Sequence, residues 1–168
     1  VGTNFTAAPS IEVGGQPCGT INFIGPTQMT CVAPAHVAGL VDVVVTSSDG
    51  QTDTLSNSYI YRAAPVLSSV TPPFGPLAGG TSLTLAGGGF VTGATVTVGG
   101  ASCAGVSVDS ATQITCVSPA HAAGTVDVVV TNPDGQISTL ASSYAYQIAP
   151  SIGSVSPVAG PLAGGNTL

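Results

Sequence analysis

Short runs in which apolar and polar residues alternate, separated by clusters of Gly, Pro, Asn and Asp, fill this chain from end to end. Alternation is clear in Ser10-Ile11-Glu12-Val13, in Thr81-Ser82-Leu83-Thr84-Leu85 and in Ala94-Thr95-Val96-Thr97-Val98. A period of two puts successive side chains on opposite faces, so each run predicts a half-buried β-strand. Asp49-Gly50 and Asp134-Gly135 each divide a valine-rich run from a following Thr/Leu run, which predicts a hairpin at both places. No stretch of useful length carries a helical period. The pattern predicts an all-β chain of sandwiches, with about seven short strands in each module.

The strand pattern also repeats, without a gap, at an offset of 85 residues. Thr30-Cys31-Val32-Ala33-Pro34-Ala35-His36 falls on Thr115-Cys116-Val117-Ser118-Pro119-Ala120-His121, and Val41-Asp42-Val43-Val44-Val45-Thr46 on Val126-Asp127-Val128-Val129-Val130-Thr131. Gly75-Pro76-Leu77-Ala78-Gly79-Gly80 recurs as Gly160-Pro161-Leu162-Ala163-Gly164-Gly165. A period of this length suits one self-sufficient small domain rather than a solenoid unit. Ala63-Ala64-Pro65 and Ile148-Ala149-Pro150 read as junctions. The expected organisation is a module at 1–63 without its first strand region, a complete module at 64–148, and the first strand region of a further module at 149–168. That last segment, with Val155, Pro157, Gly160, Pro161, Leu162 and Leu168, has the residues needed to complete a module such as 1–63. Two arrangements would satisfy this: a window on a longer continuous array, or subunits that donate a strand to one another.

Composition narrows the classes of function. Charged residues are 5% of the chain, against about 25% in an ordinary soluble domain. Arg62 is the only basic residue, and the net charge of −6 argues against nucleic acid or an anionic membrane as partner. The 43% hydrophobic content can build cores, which argues against disorder. No run approaches the roughly 18 apolar residues of a membrane span. Junctions that contain Pro and no flexible Gly/Ser linker favour a fixed angle between modules.

Cys18 and Cys31 recur, at the same spacing, as Cys103 and Cys116. Close ligand pairs of the C-x-x-C type, usual for zinc, are absent. Free thiols would have no evident reason to recur in pairs. One disulfide per module is expected, Cys18 with Cys31 and Cys103 with Cys116, each stabilising its loop by about 3 kcal/mol. Such bonds place the chain in an oxidising compartment, secreted or at the cell surface.

These residues, taken in order, resemble the IPT/TIG family of immunoglobulin-like modules. The matching elements are Pro65-Val66-Leu67-Ser68-Ser69-Val70-Thr71-Pro72, Gly79-Gly80-Thr81, Gly87-Gly88-Gly89-Phe90 and Val96-Thr97-Val98-Gly99-Gly100. They continue through Cys103, Thr112-Gln113-Ile114-Thr115-Cys116-Val117-Ser118-Pro119 and Gly124-Thr125-Val126-Asp127-Val128-Val129-Val130, while Gly2-Thr3-Asn4-Phe5 matches the family's Gly-Thr-Asn-Phe element. The resemblance implies binding, spacing and adhesion. The family's DNA-binding branch uses basic loops that this chain lacks, and near-identical tandem copies resemble those of bacterial surface arrays.

Candidate chemistry is sparse. His36 and His121 share a Pro-Ala-His slot with no acid near them in sequence, which suits ordering a loop better than binding a metal. Asp42 and Asp127 lie within valine strands on the expected solvent face, and the seven acids are too scattered for a calcium site. Gly87-Gly88-Gly89 has no following Lys and so is no phosphate loop. No nucleophile elbow is present. Asn4-Phe5-Thr6 fits a glycosylation sequon. No enzyme and no cofactor are expected. The leading expectation is a structural extracellular repeat protein that forms a stalk, fibre or filament head to tail with copies of itself. The second is an adhesin, or an accessory module binding surface glycans or proteins, which exposed aromatic platforms would support. The chain has no Trp, and its tyrosines occur as the pairs Tyr59, Tyr61 and Tyr144, Tyr146.

Overall fold

A computed structural model describes residues 1–7 and 9–167. The chain divides into two compact units, Val1–Ala63 and Ala64–Leu168.

Unit 2 holds β7 (Val66–Thr71), β8 (Phe74–Pro76), β9 (Ser82–Gly88), β10 (Thr95–Val98), β11 (Ala101–Ser102), β12 (Ala104–Ser110), β13 (Gln113–Val117), β14 (Gly124–Thr131) and β15 (Ile137–Gln147), following the six strands of unit 1: β1 (Ser10–Val13), β2 (Gln16–Pro17), β3 (Gly19–Gly25), β4 (Gln28–Val32), β5 (Gly39–Thr46) and β6 (Thr52–Tyr61). In unit 2 one sheet runs β11-β10-β14-β15-β8 and the other β12-β13-β9-β7. Apart from the short parallel pair of β15 and β8, neighbouring strands are antiparallel. Val96, Val98, Val128 and Val130 of the first sheet face Leu67, Val70, Leu83, Leu85 and Ile114 of the second, and all nine are buried. The alternation in β9, β10 and β13 is the reason these side chains share one layer.

Unit 1 repeats the first of these sheets. Its order is β2-β1-β5-β6, and β3 and β4 form a separate pair. The register is conserved across the offset: Ile11 faces Val45 and Val13 faces Val43, as Val96 faces Val130 and Val98 faces Val128. Gly14-Gly15 and Gly99-Gly100 turn both hairpins with φ of 62°, 73°, 61° and 81°, a left-handed pair that glycine adopts without strain. The two Asp-Gly loops close as expected, with Gly50 N–H on the Ser47 carbonyl and Gly135 N–H on that of Asn132.

The junction residues 63–65 and 148–150 lie outside strands; Pro65 is buried and Ile148 is exposed. Residues 149–167 form no strand and are exposed throughout, Val155, Pro157, Gly160, Pro161 and Leu162 among them. Leu168 lies outside the described residues.

Candidate functional site

In unit 2, β7 and β9 lie across the face of Val96, Val128 and Val130 and seal it. No described strand of unit 1 occupies the corresponding place. Ile11, Met29, Cys31, Val43, Val45 and Leu55 therefore line an open groove of about 580 Å³. Met29 and Val45 are only half-buried where their repeat partners Ile114 and Val130 are fully covered, and Leu55 is 67% exposed. Phe5 holds the place of Phe90 at one end. Its N–H bonds the Pro26 carbonyl at 3.0 Å, and Gly2 N–H bonds Thr27, as Phe90 and Gly87 bond Ala111 and Thr112. Asp53, the one charged residue of the lining, stands where unit 2 has Ser138, whose hydroxyl accepts the Leu67 N–H at 2.9 Å.

The groove has two open edges. β13 pairs with both β12 and β9, whereas β4 pairs with β3 alone. β15 pairs with β8 through Ala145–Phe74 and Tyr146–Gly75, and β6 has no such partner among the described residues. An edge of this kind presents unpaired N–H and C=O groups to any added strand.

The cysteines divide. Cys18 and Cys31 are joined, their Cα atoms 5.9 Å apart. Cys103 and Cys116 are buried free thiols, so the second expected disulfide is not formed in the structure. The two thiols lie within hydrogen-bonding reach of each other, so the expected partners are side by side without the bond. Hydrogen bonding to Cys103 and burial push the Cys116 thiol up, while the hydrogen bond from Cys116 draws the Cys103 thiol down.

His36 and His121 order their loops. Each stacks on a tyrosine, Tyr61 or Tyr146, at 5.0 Å, and donates Nδ1–H to the next carbonyl at 2.8 and 2.9 Å. The tyrosine hydroxyls donate to Pro34 and Pro119. Tyr144 and Tyr146 are thus core residues rather than a binding platform, and burial pushes Tyr146 up to about 12. Tyr59, the counterpart of Tyr144, is 42% exposed.

Asp42 and Asp127 do more than solvate a strand. Each sits at a bulge and accepts, at 2.7 Å, the N–H of Asn57 or Ser142, residues of positive φ on the neighbouring strand. Pattern reading missed this because a bulge leaves no mark on alternation; the recurrent Asp inside a valine run was the available signal. Among the described residues no three of His, Cys, Asp and Glu gather as a metal site, and no helix is long and apolar enough to cross a membrane.

Two antiparallel sheets packed about an interleaved valine and leucine core define unit 2 as an immunoglobulin-like β-sandwich. The IPT/TIG domain family matches residues 1–61 and 65–146, and the chain belongs to that family. It is 34% identical over 145 residues to fibrocystin-L of Mus musculus, across 84% of this chain and 3% of that protein. It is 30% identical over 159 residues to plexin-2 of Caenorhabditis elegans, across 92% of this chain and 9% of that protein. The solved extracellular region of plexin A4 shares the fold, with a TM-score of 0.58 and 22% identity over 88% of this chain and 13% of that one. The chain thus spans under a tenth of these curated relatives. It is an extracellular module of the IPT/TIG type.

Proposed function

We propose that the chain is a structural repeat element, in which IPT/TIG modules follow one another head to tail in an extracellular stalk, fibre or filament. The observation that carries this reading is the gapless offset of 85 residues, which reproduces strand register, turns and hydrogen bonds from one unit to the other. A rod of like modules repeats a like joint, and both junctions here carry the same Ala-Pro step, Ala64-Pro65 and Ala149-Pro150. An almost uncharged Ser/Thr surface suits close lateral contact without repulsion. In an oxidising exterior the second thiol pair, Cys103 and Cys116, closes by exchange with a small-molecule disulfide, which is reduced to two thiols in the process. Negative-stain microscopy of the native material tests the reading. Threads with a regular axial repeat are expected, and isolated short particles would overturn it.

A further inference from the structure

The outer face of the sheet that holds β10 and β14, turned away from the core of unit 2, carries a shallow depression of about 390 Å³. Thr97, Gly99, His121, Thr125, Asp127 and Val129 line it. Two of these side chains are hydrogen-bond acceptors, and each is held in place through its other polar atom. Asp127 Oδ1 accepts the Ser142 N–H at 2.7 Å, which leaves Oδ2 of this exposed carboxylate for a ligand. His121 stacks on Tyr146 and gives Nδ1–H to the Ala122 carbonyl, so the neutral ring presents Nε2 as an acceptor. Gly99 keeps that nitrogen uncovered, since a Cβ there would stand 2.7 Å from it. Both acceptors recur in unit 1 as His36 and Asp42, with the corresponding bonds to Val37 and Asn57. The hydroxyls beside them do not recur: Glu12 stands in the place of Thr97 and Leu40 in that of Thr125.

Fixed acceptors next to two threonine hydroxyls suit a ligand rich in hydroxyl donors. Unit 2 contains no Lys and no Arg, so nothing in it neutralises a phosphate, a sulfate or a carboxylate. The same face also carries an aromatic ring. Thr125 pairs with Ala145 and Ala145 with Phe74, which places Phe74 two strands, about 10 Å, from Thr125. Phe74 is 54% exposed and takes no part in the core. A pyranose matches both features, with hydroxyls around its rim and an apolar C–H face that can lie on an aromatic ring. We infer that this face binds a neutral, extended, β-linked oligosaccharide. Hydroxyls of one sugar donate to Asp127 Oδ2 and His121 Nε2 beside Thr97 and Thr125, and the C–H face of a sugar farther along the chain rests on Phe74. An ammonium group is a point donor and would leave Phe74, two strands away, unused. The site lies within unit 2 and stands apart from the head-to-tail reading.

The test titrates the whole chain, by calorimetry, with β-linked oligosaccharides of glucose, galactose, mannose and xylose. An oligogalacturonate and a chitosan oligosaccharide serve as the acidic and amino counterparts. At least one neutral series should saturate with one site per chain, and the oligogalacturonate should not compete with it. Phe74→Ala should weaken that binding about tenfold through the lost stacking surface. Thr125→Leu should weaken it about fivefold through the lost hydroxyl. Both positions are exposed, and unit 1 already carries Leu40 at the second, so the variants keep the fold, which unchanged melting checks. No binding by any neutral series, binding unchanged in either variant, or saturation by the acidic or the amino oligosaccharide alone would overturn the inference. Microscopy of the native material reads assembly only, so this site and the structural reading can each fail without the other.

Discussion

Equivalent positions in the two units offer a controlled comparison of covered and uncovered core. Val130 is fully buried in unit 2, and its counterpart Val45 is half-buried on the groove floor. Val130→Ala removes two buried methyl groups, about 1.6 kcal/mol of transfer free energy. The closed site cannot collapse around the loss, and the residual cavity adds about 1 kcal/mol, for a total of about 2.5 kcal/mol. Val45→Ala loses part of the transfer contribution and creates no new cavity, because the groove is already open; its cost is about 0.5–1 kcal/mol. Native-state hydrogen exchange read by mass spectrometry resolves the two units, through the slowest amides of β14 and β5. Equal losses at the two sites would refute the reasoning, since they would mean that the valine layer of unit 1 is as well covered as that of unit 2.

Gly99→Ala should destabilise unit 2 by about 1–2 kcal/mol, measured by thermal unfolding, because Gly99 has φ of +61° and a Cβ there would meet His121 Nε2 at 2.7 Å. Unchanged melting would show that the turn tolerates a side chain. Tyr146 is pushed up to about 12, chiefly by burial, and the Tyr61 hydroxyl is raised in the same direction. The folded chain therefore holds these protons more tightly than the unfolded chain, whose tyrosines titrate near 10. Stability should be complete below about pH 10 and fall as the pH rises toward 12. Denaturant midpoints at pH 8 and pH 11 measure this, and equal midpoints would contradict it. Alkylation of native material in denaturant, without reductant, should label neither Cys103 nor Cys116; two modified thiols per chain would show that the second pair remains reduced.

How much of this was legible in the sequence depends on the range of the interaction. Alternation marked Val96, Val98 and Leu83 as one face of their strands, since side-chain direction in a strand is set residue by residue. Gly99-Gly100, Asp134-Gly135 and the offset of 85 residues announced turns and modules for the same local reason. The cysteine spacing announced both pairs, and the fold sets the members of each side by side. The roles of Asp127 at the bulge beside Ser142, and of Tyr144 and Tyr146 as core, came from contacts across strands that no local pattern encodes. The state of Met29, Val45 and Leu55 is the sharpest case. Their sequence context matches that of Ile114, Val130 and Leu140, but burial is a property of what lies on the opposite sheet. The expected lack of a first strand region in 1–63 already marked that face, and the tertiary structure decided how far each described side chain on it is exposed.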